Sequence, residues 1–262
     1  MLAQRDPMWA ILSNPSVKGR KWDPVAFFES GEAAINHLLS IAKAIGVPLR
    51  RGTALDFGCG LGRLTQPLCR HFEKCYGVDI SPTMIAGAGR YNRFGTACEY
   101  LLNDSPDLHR FENDTFDFTC AYIVLQHMPA DISKGYISEF IRVLKPGGLL
   151  MFQVPSTLRP MQETSDAGQQ PVRPAVTPSR SSASATIQEV CSPLKAAMWR
   201  QTEEPGAPNE TSEHLEQLID MHGLPREEVV RVIEAARATL VHVEEDDSAG
   251  PDWFSFRYWV TI

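Results

Sequence analysis

The stretch Thr53-Ala54-Leu55-Asp56-Phe57-Gly58-Cys59-Gly60-Leu61-Gly62-Arg63 decides the fold expected of this chain. Its apolar run, residues 54–57, has the length and composition of a buried parallel strand. Three alternating glycines follow, and a backbone without Cβ atoms can take positive φ and approach a ligand closely. Residues 61–70 then predict a helix whose first N–H groups would point into the loop. Together these elements favour a nucleotide-binding turn, although a tight turn that binds nothing would leave the same pattern.

A second acidic strand end follows at the distance that nucleotide binding requires. Residues 76–81 predict a strand ending at Asp79, about twenty residues beyond the glycines, where a carboxylate can accept both ribose hydroxyls. A helix cap is the alternative role for Asp79, but Ser81 before Pro82 is the better N-cap. The loop is G-x-G-x-G, because Arg63 stands where the third glycine of the dinucleotide fingerprint would be. The loop alone therefore leaves the ligand ambiguous.

Four segments, in this order, carry a resemblance to a known family. They are LDFGCGLGRLT at 55–65, GVDIS at 77–81, FDFTCAYIVLQHMP at 116–129 and RVLKPGGLLMFQVP at 142–155. They look like the class I S-adenosylmethionine-dependent methyltransferases, strongly over residues 50–155 and loosely elsewhere. The LKPGG segment at the end of a predicted helix, together with the glycine loop, argues against a nicotinamide enzyme better than the loop does.

The alternation of predicted elements indicates an α/β fold with a doubly wound, mostly parallel sheet. Seven strands are predicted, at residues 54–57, 74–78, 99–102, 116–121, 149–154, 240–244 and 254–262. Helices are predicted at 82–91, 132–144, 214–221 and 225–238, and Ile132 is expected on the buried stripe of the second. The connection between the last two strands has no room for a crossover helix, so this pair must be antiparallel. The resembling family also ends its sheet with one antiparallel strand.

The chain is expected to divide into four parts. Residues 1–48 form an N-terminal helical lid, and residues 49–155 form the S-adenosylmethionine-binding, Rossmann-like core. Residues 156–212, rich in Pro, Ser and Thr, are a flexible insertion or a substrate lid. Residues 213–262 complete the same sheet.

Within the lid, one short helix is predicted to start at Pro24 and a second to be capped by Ser30. Trp22, Phe27 and Phe28 would either wall the substrate pocket or serve as plain packing aromatics. The sequence leaves these two roles open.

The resemblance implies how the methionine and ribose parts of S-adenosylmethionine are held. Asp56 would bind the amino group of the methionine half, directly or through water. Gly58 and Gly60 would let that half lie against the loop backbone, and Ala121 would place its backbone near the same end. Asp79 would take the ribose.

The resemblance also implies how the adenine and the sulfonium are contacted. Ile80 and Met84 would sandwich the adenine, or serve as ordinary core. Asn103 or Asp104 would accept a hydrogen bond from its exocyclic amine, unless the pair only forms a turn. Tyr122 could face the sulfonium, whose positive charge an aromatic face attracts.

His127 is the best-placed candidate for a general base. It follows the fourth strand in a loop over the expected pocket, and an imidazole near its free pKa suits proton removal at neutral pH. A purely structural role in the turn at 126–129 is the alternative, and His37 and His222 are further candidates. The resembling family often works without a base.

The acceptor is expected to be a small molecule. The segment after the fourth strand is not the Asn/Asp-Pro-Pro-Tyr box of enzymes that methylate base amines, and the Pro-Cys dipeptide of the cytosine-carbon enzymes is absent. A metabolite, sugar or natural-product precursor, methylated on oxygen or nitrogen, is therefore favoured. Two other readings remain: a catalytically inactive S-adenosylmethionine-binding partner protein, and a nicotinamide oxidoreductase.

Composition bounds the partners and the compartment. The formal net charge is −7 and no Lys/Arg cluster stands out, which argues against nucleic acid. No apolar run approaches the roughly 18 residues of a membrane span, and the first residues lack a secretion-signal pattern, so a cytoplasmic protein is expected. The six cysteines form no C-x-x-C pair, which favours reduced thiols, and no metal site is predicted. A homodimer is compatible with the sequence.

Overall fold

The computed structural model describes residues 2–13, 15–160 and 221–262. Its centre is one seven-stranded sheet with the strand order β3-β2-β1-β4-β5-β7-β6. The strands are β1 Thr53–Phe57, β2 Lys74–Asp79, β3 Cys98–Leu102, β4 Phe116–Ala121, β5 Leu144–Leu158, β6 Thr239–Glu245 and β7 Trp253–Thr261. β1 to β5 pair in parallel, and β7 runs antiparallel to both of its neighbours. The predicted mostly parallel, seven-stranded sheet with one antiparallel strand is confirmed.

Helices connect the strands. They are α1 Leu2–Arg5, α2 Pro7–Ile11, α3 Pro24–Ile45, α4 Thr65–Leu68, α5 Pro82–Tyr91, α6 Ala130–Arg142 and α7 Arg226–Ala235. Single 3-10 turns lie at Pro15–Val17, Gly95–Ala97 and Leu125–His127.

The sheet carries a separate apolar core on each face. On one face, Phe57 and Phe152 pack with Phe140 of α6 and Ile233 of α7. On the other, Phe118 and Met151 pack with Leu38 and its neighbours on α3. Every residue of β4 is buried, as a central strand covered on both faces requires.

The N-terminal region contains one long helix, so the prediction of two helices there was wrong. The Asp23 side chain accepts from Ala26 N, Pro24 occupies the first turn, and Gly46 ends α3 at φ +82°. Ser30 does not start a second helix, because its hydroxyl donates to Phe27 O inside the continuous one. A serine that satisfies itself on the preceding turn no longer competes with the helix as a cap.

Two other element boundaries differ from those predicted. α4 is confined to Thr65–Leu68, because Gly62 at φ +81° keeps the preceding residues out of the helix. α6 ends at Arg142, and Leu144 already pairs with Phe116 as the first residue of β5. Ile132 is 40% exposed, so its expected place on the buried stripe of α6 was also wrong.

The helix predicted at 214–221 lies almost wholly outside the described residues, as does most of the predicted insertion at 156–212. The described cysteines are free thiols, and Cys191 falls outside them. Among the helices of the described residues, none has both the length and the apolar content of a bilayer-spanning segment.

Candidate active site

A cavity of about 590 Å³ opens at the carboxyl ends of β1 to β4. All the predicted site residues except Ala121 line it: Asp56, Gly58, Gly60, Asp79, Ile80, Met84, Asn103, Asp104, Tyr122 and His127. Ala121 is fully buried at the end of β4 and is not part of the cavity wall. The topology brings the others together, because parallel strands present their carboxyl ends at one edge of the sheet.

The glycine loop follows the floor of this cavity. Gly58 and Gly60 have φ +74° and +53°, conformations that residues with a Cβ rarely adopt. A Cβ on Gly58 would also lie 2.2 Å from Val124 Cγ2, and one on Gly60 would lie 2.6 Å from Ile11 Cδ1. The loop therefore needs glycine for its backbone angles and for the close approach of its neighbours.

Asp79 ties this loop to the next helix. Its Oδ2 accepts from Gly60 N at 2.9 Å and its Oδ1 accepts from Ser81 N at 2.8 Å. Burial raises the pKa of Asp79, and these two backbone hydrogen bonds oppose the shift. A carboxylate oxygen has two acceptor positions, so each oxygen keeps one for a ligand hydroxyl. Ser81 caps α5 with Pro82 at its start, as expected.

Asp56 is a carboxyl group with little access to solvent. It is 2% exposed, and Thr65 Oγ1 donates to its Oδ2 at 2.6 Å. Burial, the largest cause, raises the pKa of Asp56 to about 6. The carboxylate is still the main form at pH 7, and a carboxyl with a perturbed pKa in a cleft is typical of a functional site.

Asn103 and Asp104 differ in what they can offer a ligand. Asn103 is buried, and its amide nitrogen faces Ser105 O, Asp107 O and the Tyr136 hydroxyl at 3.1–3.3 Å. Asp104 is exposed at the cavity wall. The Asn103 amide nitrogen thus holds the loop after β3, and because Asn103 is only 5% exposed, Asp104 is the better candidate for accepting a hydrogen bond from a ligand.

Arg63 lines the cavity and was missed as a site residue. It is only 6% exposed, and its Nε has no hydrogen-bond partner among the described residues. Its Nη1 donates to Ser30 Oγ at the long distance of 3.5 Å. The available signal was the departure of this position from the dinucleotide fingerprint, where glycine is replaced by a charged residue.

Ile123 is a strained residue that the sequence did not reveal. It lines the cavity directly after β4, and its φ is +61°, which is unusual for a β-branched side chain. Gln153, fully buried on β5, accepts from Ile123 N at 3.2 Å and donates to Ser255 Oγ at 2.7 Å. Strain of this kind persists where surrounding contacts hold it, and it is concentrated at functional sites.

Tyr122 has partners on the side of the C-terminal strands. Its hydroxyl lies 2.7 Å from Ser248 Oγ, and the Arg257 guanidinium lies 5.3 Å from the centroid of its ring. Arg257 is buried and paired with Glu244 and Asp246. The tyrosine therefore already has one cation beside its ring, and its expected role of facing the sulfonium stays a prediction.

The remaining wall is mostly apolar and surrounds His127. Ile11 of α2, Val124, Met128 and Ile132 of α6 line this part. The His127 Nε2 lies 3.4 Å from the Gln126 Nε2, a contact whose donor and acceptor depend on the histidine tautomer. His37 and His222, the other candidate bases, do not line the cavity.

Trp22, Phe27 and Phe28 do not line the cavity. They pack with Met8 and Leu61 in a small apolar cluster. The packing alternative therefore holds for these aromatics, and Ala10 and Ile11 are the residues of the N-terminal region that reach the cavity.

Within the described ranges, no group of three His, Cys, Asp or Glu side chains is arranged to hold a metal ion.

Comparison with known proteins shows which family part of this chain matches. A family described as "Methyltransferase domain" matches residues 55–152. The ubiquinone biosynthesis O-methyltransferase of Xylella fastidiosa is 30% identical over 105 residues, which are 40% of this chain and 42% of that protein. The 2-methyl-6-phytyl-1,4-hydroquinone methyltransferase of Synechocystis is 29% identical over 100 residues, or 38% of this chain and 30% of that protein. This chain thus covers less than half of the length of either relative.

A solved structure extends the likeness to the fold. Magnesium protoporphyrin IX methyltransferase from Synechocystis, with bound SAH, has a TM-score of 0.51 over 90% of this chain and 83% of that chain. The identity is 13%, so this similarity concerns the fold alone.

Proposed function

Since residues 55–152 are a methyltransferase domain of the class I S-adenosylmethionine-dependent family, we propose that this protein methylates a small molecule with S-adenosylmethionine as donor. The observation that carries the proposal is the row of carboxylates around one cavity. Asp56, Asp79 and Asp104 stand at or just beyond the ends of three neighbouring strands, β1, β2 and β3. This order matches an elongated ligand with an amino group, a ribose and an adenine in sequence.

The donor would lie across the strand ends. The free acceptor positions of Asp79 would take the ribose hydroxyls, and Asp104 would accept from the adenine amine. Ile80 is 74% exposed although it is apolar. Together with Met84, which also lines the cavity, it would cover the adenine. An exposed isoleucine at a cavity mouth gains burial when such a ring binds.

The bound donor supplies a methyl group on a sulfonium, and this chain has to align the acceptor with it. Holding two reactants in line can contribute roughly 7–11 kcal/mol to lowering the barrier, so no strong electrophile is needed. The strained turn at Ile123, held by Gln153, fixes the wall where the acceptor would approach. A rigid wall at this point favours one orientation of the acceptor.

For the acceptor, we infer a largely apolar molecule with a reactive hydroxyl. The wall formed by Ile11, Val124, Met128 and Ile132 favours an apolar body. His127 would remove the hydroxyl proton. The relatives named above act, by their names, in ubiquinone biosynthesis and on a phytylated hydroquinone, which supports a ring of this kind.

The test is a methyl-transfer assay with a metabolite extract of the source organism. The protein is incubated with the extract and with S-adenosylmethionine labelled in its methyl group, and the small-molecule and macromolecular fractions are separated. The proposal predicts label in an apolar small molecule and accumulation of S-adenosylhomocysteine. Label in protein or RNA would contradict it, and binding of the donor without any transfer would favour the inactive binding protein.

A further inference from the structure

Two buried side-chain amides connect the C-terminal strands to His127. Gln153 of β5 is fully buried, and Gln126 is only 5% exposed. The Gln153 Nε2 lies 2.7 Å from the Ser255 Oγ and 3.4 Å from the Gln126 Oε1. The Gln126 Nε2 in turn lies 3.4 Å from the His127 Nε2. His127 lines the cavity, so this series of contacts ends at the candidate general base.

The direction of these hydrogen bonds is fixed by a backbone group. Ile123 N can only donate, and it donates to the Gln153 Oε1 at 3.2 Å. The amide nitrogen of Gln153 therefore faces the other way, and its two hydrogens serve Ser255 and Gln126. Since Gln126 accepts with its oxygen, it turns its amide nitrogen toward His127. An amide nitrogen donates and does not accept, so the His127 Nε2 is the acceptor of this contact.

This direction selects one tautomer of His127. A neutral imidazole carries a single ring proton, on either Nδ1 or Nε2. A proton on Nε2 would set its N–H against an N–H of Gln126 and leave that buried donor unpartnered, which is costly. Gln126 therefore favours the form with the proton on Nδ1 and the lone pair on Nε2. A histidine side chain in water prefers the opposite form, so the effect of Gln126 can be measured.

We propose that Gln126, oriented by Gln153, keeps neutral His127 in the Nδ1–H tautomer, so that Nε2 is the nitrogen that removes the proton of the acceptor's hydroxyl. Gln126 and Gln153 are then positioning residues, and this inference rests on the proposed function. The lone pair of Nε2 serves one donor at a time, so the hydroxyl replaces the Gln126 amide there. A contact of 3.4 Å is longer than an ordinary N–H hydrogen bond, so little is lost in this exchange.

The tautomer decides whether the proton can be transferred. As the hydroxyl oxygen bonds to the methyl carbon, the carbon–sulfur bond breaks, its electron pair stays on sulfur, and the hydroxyl proton passes to Nε2. The ring of His127 is then an imidazolium with a proton on each nitrogen. If the single proton of the neutral ring were already on Nε2, this nitrogen would have no lone pair to offer.

Long-range proton–nitrogen correlation spectra of protein labelled in its histidine rings test the tautomer without any ligand. A ring nitrogen that carries a proton and one that carries a lone pair have widely separated chemical shifts, and the His127→Ala variant identifies the signals of His127. At about pH 9, well above the ordinary histidine pKa of about 6.5, we expect wild-type protein to favour Nδ1–H over Nε2–H by about 10-fold or more. Equal populations, or a majority of the Nε2–H form, would overturn the inference.

Gln126→Glu reverses the contact and keeps the size of the side chain. A carboxylate only accepts, so His127 should now hold its proton on Nε2 and the tautomer preference should invert. Turnover of the acceptor identified by methyl transfer should fall by about 10²- to 10⁴-fold, while the Kd of the donor stays unchanged. Gln4→Glu, at an exposed glutamine of α1, is the matched control and should behave as wild type. Full turnover in Gln126→Glu would overturn the role of Nε2.

Gln153→Met tests the same contacts without introducing a buried charge. It removes the group that orients the Gln126 amide, so the preference of His127 for Nδ1–H should fall toward the ratio of a histidine in water. An unchanged ratio in Gln153→Met would overturn the inference although the proposed function stands. If wild-type protein transfers no methyl group to any small molecule, the proposed function fails and the role of Nε2 fails with it, whatever the tautomer.

Discussion

Asp56 is the residue whose chemistry depends most on burial. Its pKa rises from 3.8 to about 6, so the folded protein holds this proton over a pH range in which the unfolded chain has lost it. The stabilising contribution of the protonated group is fully present below pH 3.8 and is lost as the pH rises to about 6. The ligand-free site is therefore least stable where the ionised carboxylate is available to a cation.

This loss of stability with rising pH can be measured by chemical denaturation at a series of pH values. We expect the Asp56 contribution to lower the free energy of unfolding of ligand-free protein by about 2 kcal/mol between pH 4 and 6. Asp56→Asn removes the titration, so the difference between variant and wild type isolates it. A difference that does not change with pH would contradict the assignment.

Asp79 makes a different contribution, because it ties the loop and offers the ribose site at once. We expect Asp79→Ala to weaken the binding of S-adenosylmethionine by about 1–3 kcal/mol, through lost charge-assisted hydrogen bonds. Titration calorimetry measures this loss. Asp252→Ala, an exposed acid before β7, is the control. Unchanged affinity in Asp79→Ala would remove the ribose role.

His127 is tested by separating turnover from binding. If it removes the acceptor proton, His127→Ala should lower kcat by about 10²- to 10⁴-fold and leave the Kd of the donor unchanged. The assay uses the acceptor identified by the methyl-transfer experiment. His242→Ala, a change at an exposed residue of β6, serves as control. Full turnover of His127→Ala between pH 6 and 9 would show that the reaction needs no base at this position.

Among single residues, the sequence predicted those whose position follows from the direction of a strand. Asp56, Asp79 and Asp104 could be predicted because each lies at or just past a strand end, and parallel strand ends meet. Arg63 and Gln153 could not, since their importance depends on which distant groups do or do not reach them. The left-handed φ of Ile123 is equally invisible, because no residue preference signals it.

Among the elements, α3 and the glycine loop are fitted to each other. Gly31 stands in the middle of a 22-residue helix, where alanine would ordinarily be favoured. A methyl group at this position would lie 2.0 Å from Arg63 O, so the site has no room for alanine. The helix thus accepts a weak helix former to bring its backbone close to the cavity.

Two glycine-to-alanine substitutions test this close packing, because they are expected to change the free energy of unfolding in opposite directions. Gly31→Ala should lower the free energy of unfolding by more than about 1 kcal/mol, because the methyl group forces helix and loop apart. Gly135→Ala, on the exposed side of α6 with nothing within 4 Å of its Cβ position, should raise it by about 0.5–1 kcal/mol. Denaturant unfolding of both variants decides the point. A stabilised Gly31→Ala would show that the two elements are not in close contact.

The errors in the predicted elements have a common origin. The boundaries at Ser30, Leu61 and Leu144 were predicted from residue preferences alone, whereas the actual ones depend on a side-chain hydrogen bond within α3, on the backbone angle of Gly62 and on strand pairing. Ser30 bonds backward within α3, and Leu144 joins the sheet through Phe116. Local preference predicted which elements exist better than where they end.

For the whole molecule, the order of the strands explains where the site lies. The sheet runs from β1 outward to β2 and β3 on one side and to β4 and β5 on the other. Crossover connections leave β1 and β4 in opposite directions, which opens a crevice between their carboxyl ends. The alternation of strands and helices predicts this crevice, and the short connection between β6 and β7 predicts the antiparallel strand. Sequence patterns do not give the shape of the acceptor wall, because it is built from α2, α6 and the turn after β4.

The central claim is that this crevice holds S-adenosylmethionine with its adenine toward β3 and its amino-acid end toward Asp56. A crystal structure of the protein soaked with S-adenosylhomocysteine tests it most directly. We expect density for the ribose against Asp79, for the adenine beside Asp104 and Ile80, and for the amino group within reach of Asp56, directly or through one water. Density in the reverse orientation, or an unoccupied crevice at saturating ligand, would contradict it.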